Sequence, residues 1–151
     1  ALLITEEDCR PEEFDLDLPA LRAVATLQIT AQRSPLPVSE AVAAFDRGAL
    51  EDAALRVEQA GGPLGEALRA IGPGDLANWA GRAGVARVVT PWVPVGPVRD
   101  WLDTARPALR EVGAELVMLR RPWDEAVWPN ATAGFFKLKD KIPRLVAQLI
   151  G

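Results

Sequence analysis

Glu6, Glu7 and Asp8, followed at once by Cys9 and Arg10, form the densest run of chemistry-bearing side chains in this 151-residue sequence. Three adjacent acids could share a cation through their oxygens, or stand solvated in a loop. Cys9 is the single cysteine and there is no histidine. Disulfide frameworks, paired-cysteine redox motifs, Cys/His zinc sites and histidine-based triads are therefore excluded within this chain. Arg120 and Arg121 could take an anion through paired N–H donors, or form salt bridges to the acidic first half. Trp92, Trp123 and Trp128 fall in loop-like stretches, where a ring could stack on a ligand or a partner domain. Trp79 and Trp101 instead recur at helical spacing among aliphatic residues and read as core. Neither GxGxxG nor GxxxxGK[ST] occurs, so a standard phosphate cradle is lacking.

The clearest positioning elements lie in residues 84–121. Val85 to Val89 is short, apolar and β-branched, the pattern of a strand buried on both faces. A helix follows, with Pro97 in its first turn and Gly113 just past its end. Val98, Trp101, Leu102, Ala105, Leu109 and Val112 form one apolar stripe on it, and Leu116 to Leu119 gives the next strand. Strand, one-sided helix and strand make a right-handed crossover in a parallel sheet. Pro107 sits inside that helix and should kink it, at a cost of about 3 kcal/mol if nothing compensates.

The same logic runs through the rest. A first strand ends at Thr5, and the acidic stretch 6–17 cannot be core and reads as a long acidic loop or a short, poorly formed helix. Leu21 to Ile29 is the second strand. Ser39 caps a helix carrying Val42 and Phe45, and Leu50, Ala53, Ala54 and Val57 continue it as one bent helix or a second one. Pro63 to Ile71 is ambiguous. Asp75 caps a helix with Leu76, Trp79, Ala80 and Ala83 inward, 122–134 reads as an ordered loop at best, and Phe135 to Leu149 is a closing helix interrupted at Pro143.

Strands alternating with one-sided helices define the fold class as α/β, a three-layer Rossmann-like domain whose mainly parallel sheet is flanked by helices. With 49% hydrophobic residues, the 151-residue chain is long enough for one domain with a real core, and 1–151 is expected to form it. No apolar run approaches the roughly 20 residues that span a bilayer, so a soluble, cytoplasmic protein is expected. The chain begins inside an apolar run without methionine, which suggests a piece of something longer. Residues 1–60 hold 5 basic and 12 acidic side chains, residues 61–151 hold 12 and 9. That acidic first half argues against duplex DNA lying across the whole domain, while Lys137, Lys139, Lys141 and Arg144 could face a polyanion or simply be a solvated face. Ligands of such folds bind beyond the carboxyl ends of the strands, which singles out the loops 5–10, 90–96 and 120–128. Asp8, Arg10, Trp92, Arg120 and Trp123 are the candidate residues of that ligand edge.

The order Asp8-Cys9-Arg10, then Leu18-Pro19-Ala20-Leu21 leading into an apolar strand, resembles the start of the photolyase and cryptochrome N-terminal domain. Arg47-Gly48-Ala49-Leu50 with Gly61 and Leu64 is similar to that family's helix before its middle strand. VARVVTPWVP followed by VRDW resembles a later strand and the helix after its loop, and Gly134-Phe135-Phe136-Lys137 is loosely like the Phe-rich exit from that domain. The motifs are short but span almost the whole chain. Glu6 and Glu7 stand where the family usually has arginines. The resemblance implies the α/β antenna domain of a flavoprotein that repairs pyrimidine dimers in DNA with blue light, a deoxyribodipyrimidine photolyase, or that signals with that light. It also implies that FAD and catalysis belong to a separate helical domain of the same chain, through which damaged DNA would be met. An antenna chromophore could sit at the ligand edge. The alternative is a non-catalytic nucleotide-binding or protein-interaction α/β module.

Overall fold

The computed structural model describes residues 1–132 and 134–150, the side chain of Ile150 excepted. They fall into two compact units, Ala1–Leu119 and Arg120–Gly151. The first holds all five strands of the sheet: β1 (Leu2–Thr5), β2 (Val24–Gln28), β3 (Gly65–Arg69), β4 (Arg87–Pro91) and β5 (Glu115–Leu119). Their spatial order is β3-β2-β1-β4-β5, and every pairing is parallel. The expected α/β architecture with a parallel sheet between helical layers is therefore what the chain adopts.

Alternation along β1 shows how the layers form. Leu2 and Ile4 pack with Leu50, Ala53 and Val57 of helix α1 (Glu40–Gln59), whereas Leu3 packs on the other side with Leu76 and Trp79 of α2 (Gly74–Ala83) and Leu102 and Leu109 of α3 (Pro97–Glu111). Residues 2–5 are all fully buried, as a central strand covered on both faces must be. Each such leucine or isoleucine contributes roughly 1.5–3 kcal/mol relative to exposure. Trp79 and Trp101, at 2% and 8% exposed, are core residues.

Several local expectations are corrected. The acidic stretch after β1 is not all surface: it forms two short 3-10 turns, Pro11–Glu13 and Leu18–Ala20, that bury Pro11, Phe14 and Leu18. The two segments after Ser39 are one 20-residue helix, capped by the Ser39 hydroxyl accepting from the Val42 N–H. Asp75 lies inside the first turn of α2 rather than before it, where its carboxylate accepts from the N–H groups of Ile71 and Gly72. α3 runs unbroken through Pro107, which sits with Asp103 on its exposed side, so the N–H it lacks is missing on the solvent face rather than in the core.

The second unit is helical. The stretch after Arg121 is α4 (Pro122–Val127) and a 3-10 turn at Trp128–Asn130, not a loop. Pro122 supplies the first-turn proline that periodicity alone did not reveal. α5 (Phe135–Lys139) and α6 (Ile142–Ile150) follow, so the closing helix breaks before Pro143, which starts α6 rather than interrupting it. α6 packs on α4, and Leu145 is buried. No helix among the described residues is long and apolar enough to cross a membrane.

Candidate functional site

The connection leaving β1 packs on the α1 side of the sheet, and the helix leaving β4 packs on the opposite side. The carboxyl ends of these neighbouring strands therefore form the topological switch point, where α/β sheets place ligands. Asp8 and Arg10 lie in the loop after β1 and Trp92 directly after β4. Asp8 accepts the Arg10 N–H at 3.0 Å, and the Arg10 guanidinium reaches Glu13 at 3.0 Å. Trp92 donates its N–H to the Leu119 carbonyl at 2.7 Å, and the Arg99 guanidinium lies 4.6 Å above its ring. Arg99 in turn donates to the Val93 carbonyl at 2.7 Å and pairs with Asp103 at 3.4 Å. The indole is thus held by a cation from the first turn of α3.

The three adjacent carboxylates diverge. Glu6 turns under the sheet edge and accepts the Ile29 N–H with both oxygens at 3.0 Å, Glu7 pairs with Arg33 at 3.3 Å, and Asp8 stays in its loop. Burial pushes the Glu6 carboxyl above the ordinary carboxylate range, opposed by the Ile29 hydrogen bond. Among the described residues no group of three His, Cys, Asp or Glu side chains comes together to hold a metal ion. The Cys9 thiol is pushed up by burial and by the Asp8 charge, and it donates to the Thr5 carbonyl at 3.7 Å. It is therefore a protonated packing group rather than a nucleophile.

Arg120 and Trp123 belong to the second unit. Arg120 pairs with Glu125 at 3.4 Å and lies 5.7 Å from the Trp128 ring centre, Arg121 pairs with Asp124 at 3.5 Å, and Trp123 is 45% exposed.

A cleft of about 590 Å³ opens elsewhere on the same sheet edge, beyond the carboxyl ends of β2 and β3 and against α1. That volume suits a ligand of nucleotide size. Its wall is a relay of hydrogen bonds: the Gln28 side-chain amide donates to the Ala43 carbonyl at 2.8 Å and to the Thr30 hydroxyl at 3.2 Å, and that hydroxyl donates to Asp46 at 2.8 Å. Thr30 and Asp46 are nearly fully buried, so the relay fixes the wall rather than waiting on solvent. Arg47, Glu51 and Arg69 stand exposed on its rim. Arg69 ends β3, and Arg47, on α1, pairs with Glu40 at 3.5 Å; guanidiniums so placed can take a phosphate or carboxylate. The arrangement offers binding and orientation of an anionic ligand.

Gln28, Thr30, Asp46 and Arg69 were not among the residues that sequence reasoning singled out, and Arg47 entered only as part of a family motif. Gln28 and Thr30 do follow an apolar strand run, and the strand-end rule applied to β2 would have found them. The other wall, β3, is barely legible as a strand in Gly-Glu-Ala-Leu-Arg. Comparison of the chain with protein-family models, curated proteins and solved structures finds no match.

Proposed function

We propose that the chain is the α/β domain of a photolyase- or cryptochrome-like flavoprotein, a domain that holds a ligand and is not catalytic alone. The observation that carries this reading is where the quoted motifs fall. Asp8-Cys9-Arg10 lies on the exit of β1, Leu18-Pro19-Ala20-Leu21 forms the 3-10 turn that feeds β2, and Arg47-Gly48-Ala49-Leu50 lies on the helix before β3. These positions, on an all-parallel sheet with a switch point, are compatible with the resemblance and support the reading. In this reading FAD and light-driven repair of pyrimidine dimers reside in a helical domain of the same chain, and no residue here is assigned to FAD. Within these residues the strand-end cleft, with Gln28, Arg47 and Arg69, is the place that would take an antenna chromophore bearing an anionic group.

The test is expression of the complete reading frame that encodes this chain. A yellow, flavin-containing product that removes thymine dimers from an oligonucleotide only under blue light supports the proposal. A product with no flavin and no such repair or photoreduction refutes it. Retention of mononucleotides by the 151-residue chain, abolished by Arg69→Ala, would instead favour a nucleotide-binding module, a reading that the exposed Arg69 on the cleft rim makes specific.

A further inference from the structure

The second unit differs from the first in sign. Residues 1–119 hold 11 basic and 18 acidic side chains, a net charge of −7, whereas 120–151 hold 6 and 3, a net charge of +3. The excess cations gather in the eight residues 137–144: Lys137, Lys139, Lys141 and Arg144 against Asp140 alone. All four are exposed, and among the described residues no carboxylate is recorded in a salt bridge with Lys137, Lys139 or Arg144. Directly before them stand Phe135 and Phe136, at 64% and 78% exposed, with ring centres 5.7 Å apart and an interplanar angle of 68°. Two large rings left in water beside uncompensated cations need an occupant that is both flat and anionic.

We infer that α5 and the start of α6 form a contact site for single-stranded nucleic acid, independent of the flavoprotein reading. Unpaired bases supply π-faces to Phe135 and Phe136, and the adjoining phosphates meet Lys137, Lys139 and Arg144. A duplex fits less well, because its bases are already stacked and its backbone asks for a wider basic stripe than these residues give. An anionic membrane fits less well too: insertion wants a continuous free apolar helical face, whereas Leu145 on the apolar face of α6 is buried and α6 packs on α4.

Fluorescence anisotropy of a labelled oligothymidine titrated with the 151-residue chain tests this. Binding is expected to weaken with salt, with a slope of log K against log salt of about −2 to −3, three or four phosphates being neutralised. Phe135→Ala with Phe136→Ala should weaken it roughly 5- to 100-fold. Lys137→Glu with Lys139→Glu should weaken it at least as much while far-UV circular dichroism stays unchanged. These side chains are exposed, so both variants should fold. Absence of binding at low salt, equal affinity for duplex, indifference to the Phe substitutions, or preferential capture by phosphatidylserine vesicles would each overturn the assignment.

Discussion

Glu6 and Ile29 are joined by a bidentate hydrogen bond, both carboxylate oxygens lying 3.0 Å from one backbone N–H. The contact spans 23 residues and ties the exit of β1 to the exit of β2, beside the cleft wall at Thr30 and Asp46. Glu6→Ala leaves the Ile29 donor without its acceptor and is expected to cost about 1–3 kcal/mol in urea unfolding.

The same carboxyl gives a pH signature. Its folded pKa lies above its unfolded one because burial disfavours the charge. Its contribution to stability is therefore fully present below the unfolded pKa and is lost as pH rises through the folded one. The charged and titratable groups around it are Arg33 and Asp46. Urea midpoints of the native chain and of Glu6→Gln, taken from pH 4 upward, should differ in the direction of greater relative stability for the glutamine form at the higher pH. Parallel curves would place the Glu6 ionisation in a solvated setting.

Thr5 and Thr90, at the ends of the two switch-point strands, are fully buried and their hydroxyls have no hydrogen-bond partner among the described residues. Desolvated hydroxyls without partners cost the fold, and valine has the same shape without that cost. Thr90→Val is expected to raise the unfolding free energy by about 1 kcal/mol. A loss of similar size would show that the hydroxyl has an occupant to meet at the switch point.

Four of the five strands were legible because they are rich in Leu, Ile and Val; β1, β2, β4 and β5 sit in the interior or carry one buried face, and burial demands those residues. α2 and α3 were legible from their stripes. The cleft was not, since its relay is made of Gln28, Thr30 and Asp46, polar residues brought together over 18 positions by the turn after β2 rather than by any spacing. The 3-10 turn at Leu18–Ala20 and the burial of the acidic stretch were hidden for a related reason: isolated Phe14 and Leu18 amid acids carry no period, yet each is buried.

Pro107 offers a stabilising change. It occupies the exposed face of α3, where alanine would restore the N–H that the Asp103 carbonyl lacks and carries far better helix propensity. Pro107→Ala should raise stability by about 1–3 kcal/mol, read as a higher urea midpoint at unchanged slope. A lower midpoint would mean that the helix is bent there to follow the sheet and that the bend is needed.

β3 is the strand that propensity misses, and Gly65 shows why. Its sequence, Gly65 to Arg69, holds Gly, Glu, Ala and Arg, all poor strand formers, and only Leu68 is buried. A Cβ on Gly65 would lie 2.8 Å from the Ala54 Cβ of α1, closer than such atoms pack. The helix therefore presses on the edge strand at two small residues, and it is this close approach, not intrinsic preference, that selects them. Gly65→Val should destabilise by about 1–3 kcal/mol through overpacking. In the Gly65→Val background, Ala54→Gly should recover part of that loss, although alone it costs about 1 kcal/mol as a helix-interior glycine. Strictly additive effects in that cycle would show that the helix does not rest on the strand there, and the wall of the cleft would have to be held by the Gln28–Ala43 bond alone.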